Sequence, residues 1–193
     1  MYFCAYLKQL EAMWDNVKVN IKMNMEKRSK IKLELTGIDK AIEIAGWLSV
    51  SVIWVFTVIN YNNLPDIIPI HFNAVGEADG FGEKTNILTL PIIATIIFVG
   101  LALLNKYPHI FNYPTNITKE NAQRQYTIAT KLIRYLNLIT VLIFGYIAFT
   151  TIQNAKGQVD GLGVWFLPLS MGIVFIPIIY AIVKLTKKNN DKV

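Results

Sequence analysis

Residues 87–104 read Ile-Leu-Thr-Leu-Pro-Ile-Ile-Ala-Thr-Ile-Ile-Phe-Val-Gly-Leu-Ala-Leu-Leu, without a single charged side chain. A helix of this length crosses the hydrocarbon core of a bilayer and satisfies its own backbone hydrogen bonds there. Three other stretches of the chain have the same character. The sequence therefore predicts four membrane-spanning helices, at about Ile44–Tyr61, Ile87–Leu104, Ile133–Ile152 and Val164–Val183.

The composition supports a membrane protein. Of the 193 residues, 53% are hydrophobic and 17% are charged, more apolar than an ordinary soluble domain. The formal net charge of +6 comes from basic residues that flank the apolar stretches, which favours membrane contact over nucleic-acid binding. We therefore predict an all-α integral membrane protein, a four-transmembrane-helix bundle that contacts the lipid bilayer, binds no nucleic acid and has an undetermined oligomeric state.

The distribution of Lys and Arg predicts the orientation, because cytoplasmic connections accumulate basic residues near span ends. Both tails and the middle loop are basic, whereas the other two loops are not. The N and C termini are therefore predicted to be cytoplasmic, in a multi-pass membrane protein. The expected division is a cytoplasmic basic tail (1–36), a two-span unit (37–105) with an outside loop (62–86), a cytoplasmic loop with an interfacial helix (106–132), a second two-span unit (133–184) and a cytoplasmic tail (185–193).

Two short motifs predict where helices begin. Thr36-Gly-Ile-Asp39 has the pattern of a capping box, in which two side chains satisfy backbone N–H groups at a helix N-terminus. Thr118-Lys-Glu-Asn121 predicts the cap of a second helix, which continues from the middle loop into the third span. We expect Arg134 on that helix to lie among lipid headgroups.

The outside loop, from Leu64 to Lys84, does not resemble an ordinary hydrophilic connection. Its prolines favour extended backbone and its apolar residues alternate with polar ones, which predicts a strand-like segment with Ile68, Ile70 and Phe72 turned inward to cap the bundle. Its glycines and the Asp79-Gly80 pair predict turns. The residues predicted to carry recognition in this loop are Pro65, Pro69, His71, Asn73, Gly76, Asp79, Gly82 and Lys84.

These residues, at these offsets and between two spans, resemble the bacterial membrane domain of unknown function 1648. The resemblance covers roughly Gly46 to Leu104. Proteins with this domain include the membrane immunity protein that protects bacilli from a sporulation-delaying peptide toxin, which carries it in its N-terminal part. The resemblance implies a protein of the bacterial cytoplasmic (inner) membrane with an immunity-like or envelope-stress role, and a peptide or toxin ligand on the outer side.

The residue chemistry favours a non-enzymatic protein without a cofactor. The spans contain serines but no interior His, Asp or Glu that could activate them. Two alternatives stay open at this point. One is a membrane metal protein or enzyme that uses His71, Glu77 and Asp79, and the other is a permease subunit.

Overall fold

The computed structural model of the chain describes residues 6–15 and 28–187; parts of both predicted tails lie outside these ranges. Helix α1 covers residues 6–15, and α2 covers Gly37–Tyr61. An antiparallel pair of strands follows, β1 (Ile67–Phe72) and β2 (Ala78–Glu83). A 3₁₀ turn at Lys84–Leu88 leads into α3 (Thr89–Leu104), and a second one covers Pro108–Ile110. The last two helices are α4 (Ala122–Ala155) and α5 (Phe166–Thr186).

The four helices α2 to α5 are each long and apolar enough to cross a membrane. For α3, the span includes the preceding 3₁₀ turn and covers Lys84–Leu104. This confirms the predicted fold class, to which the two-stranded sheet is added. The longest helix, α4, packs against α2, α3 and α5 and is therefore the centre of the bundle. We call the side with residues 62–88 and 156–165 the hairpin end, and the side with residues 28–36, 105–121 and 187 the terminal end.

The first spanning helix begins where the capping motif predicts. The Asp39 backbone N–H donates to Thr36 Oγ1 at 3.3 Å, and the Thr36 backbone N–H donates to Asp39 Oδ2 at 2.9 Å. Two of the N–H groups that a helix leaves unpaired at its start are thereby satisfied. The capping box is confirmed.

Helix α4 begins far ahead of its membrane span, as predicted, but the predicted cap is not formed: the N-cap residue is Asn121, which makes no side-chain capping bond, and Thr118 and Asn121 instead bond each other in the turn before the helix. The Thr118 backbone N–H donates to Asn121 Oδ1 at 2.9 Å, and the Asn121 backbone N–H donates to Thr118 Oγ1. The helix then runs unbroken over 34 residues. Its first turns also hold the end of α5, because Arg124 Nη2 and Gln125 Nε2 donate to the carbonyls of Lys184 and Leu185.

The segment from 28 to 36 is a packed strap, although its basic residues predicted only a cytoplasmic tail. Arg28 Nη1 donates to the carbonyl of Phe111 at 2.6 Å, and its guanidinium lies over the ring of Tyr113. Tyr126, which is fully buried, donates through its hydroxyl to the carbonyl of Ser29. Stacked aromatic rings thus tie the strap to the start of α4.

At the hairpin end, the predicted strand is present but its side-chain alternation is not. Ile68 is fully buried, as expected, whereas Ile70 is 51% exposed and Phe72 is half-buried. The reason is a bulge: Pro69 pairs with Phe81 and His71 pairs with Gly80, which leaves Ile70 without a partner. An extra residue in one strand reverses the face on which the following side chains lie. The prediction for Ile70 was wrong.

The prediction that Asp79, Gly80 and Gly82 form turns was also wrong, because all three lie in β2. Only Gly76 of the loop glycines has a positive φ, at 85°. The glycines of β2 instead leave room for side chains of the neighbouring strand β1. A Cβ on Gly82 would come within 2.8 Å of the Ile70 side chain, and one on Gly80 within 2.9 Å of the His71 Cβ.

Candidate functional site

The hairpin turn is organised by one side chain, that of Asn73. Its Oδ1 accepts from the backbone N–H groups of Val75 and Glu77, both at 3.0 Å, and its Nδ2 donates to Glu77 Oε2. Asparagine favours this arrangement because its short amide reaches its own backbone two residues later. The turn closes with a bond from the Gly76 N–H to the Asn73 carbonyl. Asn73 therefore builds the turn, and its predicted part in recognition stays a prediction.

The two strands carry an exposed polar pair. His71 Nδ1 lies 2.5 Å from Asp79 Oδ1, and the two side chains are 70% and 44% exposed. The partner of His71 is thus a carboxylate on the opposite strand. Cross-strand pairs of this kind are screened by water, so this one contributes little to stability and leaves both groups open to solvent.

A buried apolar floor fixes the hairpin to the helices. Ile68 and Ile87 are almost completely buried against Leu64 and against Ile152 of α4. Lys84 closes the base of the hairpin, because its Nζ lies 3.0 Å from Asp66 Oδ1 and its backbone N–H donates to the Asp66 carbonyl. The hairpin is therefore held on its lower side while its upper side faces solvent.

The second loop clamps the tip of the hairpin. The Leu162 N–H donates to the Gly76 carbonyl at 2.7 Å, and Glu77 and Gly161 form an isolated β-bridge. The fit requires glycine, because Gly161 has φ 150° and a Cβ there would collide with the Gly76 carbonyl. Tyr146 Oη in turn donates to the Leu162 carbonyl, so α4 positions the clamp.

The eight residues predicted to carry recognition in this loop differ in exposure and in their contacts. His71 and Asp79 are paired and exposed, whereas Gly76 is buried in the clamp and Pro69 is buried in β1. Pro65 lies exposed ahead of β1. The structure does not bring the eight together at one point: they follow the hairpin from its base to its tip and back to its base, as Pro65, Pro69, His71, Asn73, Gly76, Asp79, Gly82 and Lys84.

The proposed metal ligands do not converge. Asp79 pairs with His71, whereas Glu77 accepts from Asn73 Nδ2. Across residues 6–15 and 28–187, no three His, Cys, Asp or Glu side chains form a group that could hold a metal ion. The geometry of the hairpin thus gives no support to the metal alternative.

Comparison with known proteins bears on this same region. Residues 49–95 match the Domain of unknown function DUF1648. The matched range begins within α2, contains both strands and ends within α3. The predicted resemblance is confirmed for these residues, whereas the relation to the toxin-immunity protein and the bacterial origin stay predictions.

A second similarity covers a longer stretch of the chain. A protein of Archaeoglobus fulgidus, described as an uncharacterized protein, is 32% identical over 102 residues. The aligned part amounts to 47% of this chain and 56% of the archaeal protein, so the chain spans little more than half the length of that relative. No solved structure matches the chain.

The terminal end contains a buried charge cluster that sequence reasoning missed. Arg134, 8% exposed, lies between two acidic residues of α2: its Nη1 is 3.3 Å from Asp39 Oδ1, and its Nε is 2.7 Å from Glu43 Oε1. The prediction that Arg134 lies among headgroups was wrong. The sequence feature that could have indicated the cluster is a pair of carboxylates, Asp39 and Glu43, which lie four residues apart and therefore on one face of α2.

Proposed function

We propose that this protein is a non-enzymatic membrane receptor-like protein whose hairpin end binds an extended peptide. The observation that carries the proposal is the open edge of β2. Apart from their pairing with β1, the backbone groups of residues 78–82 have no backbone partner in the described parts of the chain. Such an edge accepts a further strand, and a peptide bound in this way gains affinity from main-chain hydrogen bonds.

Exposed apolar side chains beside the edge favour a peptide of mixed character. Phe81 of β2 is 59% exposed, and Ile70 and Val75 are about half exposed. Together with the His71–Asp79 pair they offer apolar and polar contacts on one small module. A peptide strand that places an apolar side chain on Phe81 and a polar one near His71 would use both kinds of contact.

The attachment of the hairpin favours binding rather than catalysis. The floor, the Asp66–Lys84 pair and the clamp hold the module from three sides, so its edge is formed before a ligand arrives. A preformed site lowers the ordering cost of binding. We place the hairpin on the outer face of the bacterial inner membrane, as the loop charges predict, and assign it an immunity-like or envelope-stress role against an antimicrobial peptide.

The proposal is tested by survival of bacteria that express the full chain and are exposed to a panel of membrane-active peptides. We expect the wild type to raise the inhibitory concentration of at least one peptide, and Phe81→Glu to abolish this effect. Val159→Glu is the matched control, because Val159 is exposed in the other loop of the same end and lies outside the hairpin. Unchanged survival with the wild type, or equal loss in both variants, would refute the proposal.

A further inference from the structure

A cavity of about 570 Å³ lies at the terminal end, away from the hairpin. Its walls come from α2, α3 and α4, and the strap 28–36 contributes Ile31 and Leu33. Trp47 of α2 and Leu103 of α3 also line it, and each is about half exposed. Both helices are membrane spans, so the cavity opens between them toward lipid. Its volume falls within the range of about 300–1,000 Å³ that is usual for small-molecule sites.

The mouth of the cavity is positively charged. Lys32 on the strap and Lys106 after α3 both line it and are both exposed. Neither has an ion-pair partner among the described residues. Arg134 also lines the cavity, but its charge is already compensated by Asp39 and Glu43. The unpaired charge at the mouth is therefore that of the two lysines.

The inner part of the cavity holds polar groups without partners. Asn105 and Asn137 are 9% and 6% exposed; each donates through Nδ2, to the carbonyls of Thr130 and Phe98, and neither Oδ1 accepts a hydrogen bond. Buried amide oxygens are seldom left unpaired, because the lost hydrogen bond costs free energy. Two such oxygens beside one cavity point to an occupant with hydrogen-bond donors.

We propose that this cavity binds the headgroup of an anionic phospholipid of the phosphatidylglycerol type. Lys32 and Lys106 contact the phosphate, while headgroup hydroxyls enter the polar interior that Asn105 and Asn137 line. The acyl chains leave between α2 and α3, past Leu103. Basic pockets between membrane helices are established positions for anionic headgroups. The site is independent of the peptide surface proposed above, since it lies at the other end of the bundle.

The chemistry of the interior predicts selectivity among lipids. Glu43 lines the cavity with a carboxylate that is 43% exposed. Its charge is compensated by Arg134, so it is left to accept hydrogen bonds from headgroup hydroxyls, while Lys32 and Lys106 at the mouth favour a net negative charge. Phosphatidylglycerol is therefore expected to bind more tightly than phosphatidylcholine, which carries a phosphate but has neither a net negative charge nor headgroup donors.

The test is native mass spectrometry of the full detergent-purified chain, titrated separately with phosphatidylglycerol, phosphatidylcholine and inorganic phosphate. We expect one tightly bound phosphatidylglycerol per chain and weaker binding of phosphatidylcholine. Replacing both lysines in Lys32→Ala/Lys106→Ala should weaken phosphatidylglycerol roughly 30-fold, at about a factor of five for each phosphate contact. Lys40→Ala/Lys119→Ala removes the same charge from exposed positions of the same end that do not line the cavity, and should leave the affinity unchanged.

A second variant tests the space rather than the charge. Ala102 lines the cavity, so Ala102→Phe should fill part of it and reduce phosphatidylglycerol binding with all charges intact. Equal binding of the two lipids, equal loss in both lysine pairs, or undiminished binding to Ala102→Phe would overturn the proposal. Binding of inorganic phosphate at the same affinity as the lipid would overturn it too, in favour of a soluble phosphate compound.

Discussion

Replacing Arg134 with alanine should destabilise the bundle by about 3 kcal/mol. The guanidinium and Asp39 are 8% and 5% exposed, so the substitution leaves a carboxylate buried without its counter-charge. Breaking a buried ion pair in this way typically costs about 3–5 kcal/mol. The lower end applies here because Glu43 is 43% exposed and because Asp39 keeps its two hydrogen bonds from Thr36.

The measurement is unfolding of the detergent-purified chain by titration with a denaturing detergent, followed by circular dichroism. Lys131→Ala is the matched control, since Lys131 is an exposed cation almost one turn away on α4. Adding Asp39→Asn to an Arg134→Met variant should recover part of the loss, because no unpaired charge is then left buried. If Arg134→Ala and Lys131→Ala unfold at the same detergent concentration, the cluster does not stabilise the protein and the reasoning fails.

Three further predictions concern other parts of the chain. Gly161→Ala should lower the unfolding free energy by about 2 kcal/mol, since an alanine Cβ strains the backbone and collides with the Gly76 carbonyl. Burial raises the pKa of Tyr113 above its ordinary value of 10.0. The contribution of Tyr113 to stability is therefore complete below pH 10 and declines as the pH rises further, because the unfolded chain loses the proton first. In thermal melts above pH 10, Tyr113→Phe should show a smaller loss of stability than the wild type. His71→Ala should change the melting temperature little, because its pair with Asp79 is exposed, and should leave the metal content of the purified protein unchanged.

Each of these predictions has a control in the chain. Gly157→Ala changes a glycine of the same loop that also has a positive φ but has open space around its Cβ position, so it should cost less than Gly161→Ala. For Tyr113, the control is the comparison of the wild type with Tyr113→Phe below pH 10, where the difference between the two should not change with pH. A stoichiometric metal that is lost from His71→Ala would revive the metal alternative and contradict the reading of the hairpin.

Features that depend on residues close together in the chain could be predicted from sequence. The four spans follow from uninterrupted apolar stretches, and the cap at Thr36 needs only a partner three residues later. Strand β1 was also predictable from its prolines and alternating residues. In each case the physical cause acts within one or two turns of backbone.

Features that depend on distant partners were missed. Arg134 was expected at the headgroups because a cation near a span end normally lies there, but its partners Asp39 and Glu43 precede it by 95 and 91 residues. The bulge at Ile70 depends on which residues of β2 face β1, a register that no local pattern reports. The glycines of β2 led to a prediction of turns, because glycine usually weakens a strand. In the structure, their missing side chains instead allow β1 to pack close to β2.

The floor beneath the hairpin has a consequence for protein engineering. Ile152 comes from α4, more than fifty residues beyond the end of the stretch that matches the domain of unknown function, and the clamp at Leu162 lies further still. Residues 49–95 excised alone, or grafted into a foreign scaffold, would keep their strands' sequence but lose the surface on which those strands rest. A transplantable version would have to carry the third span and the loop that follows it.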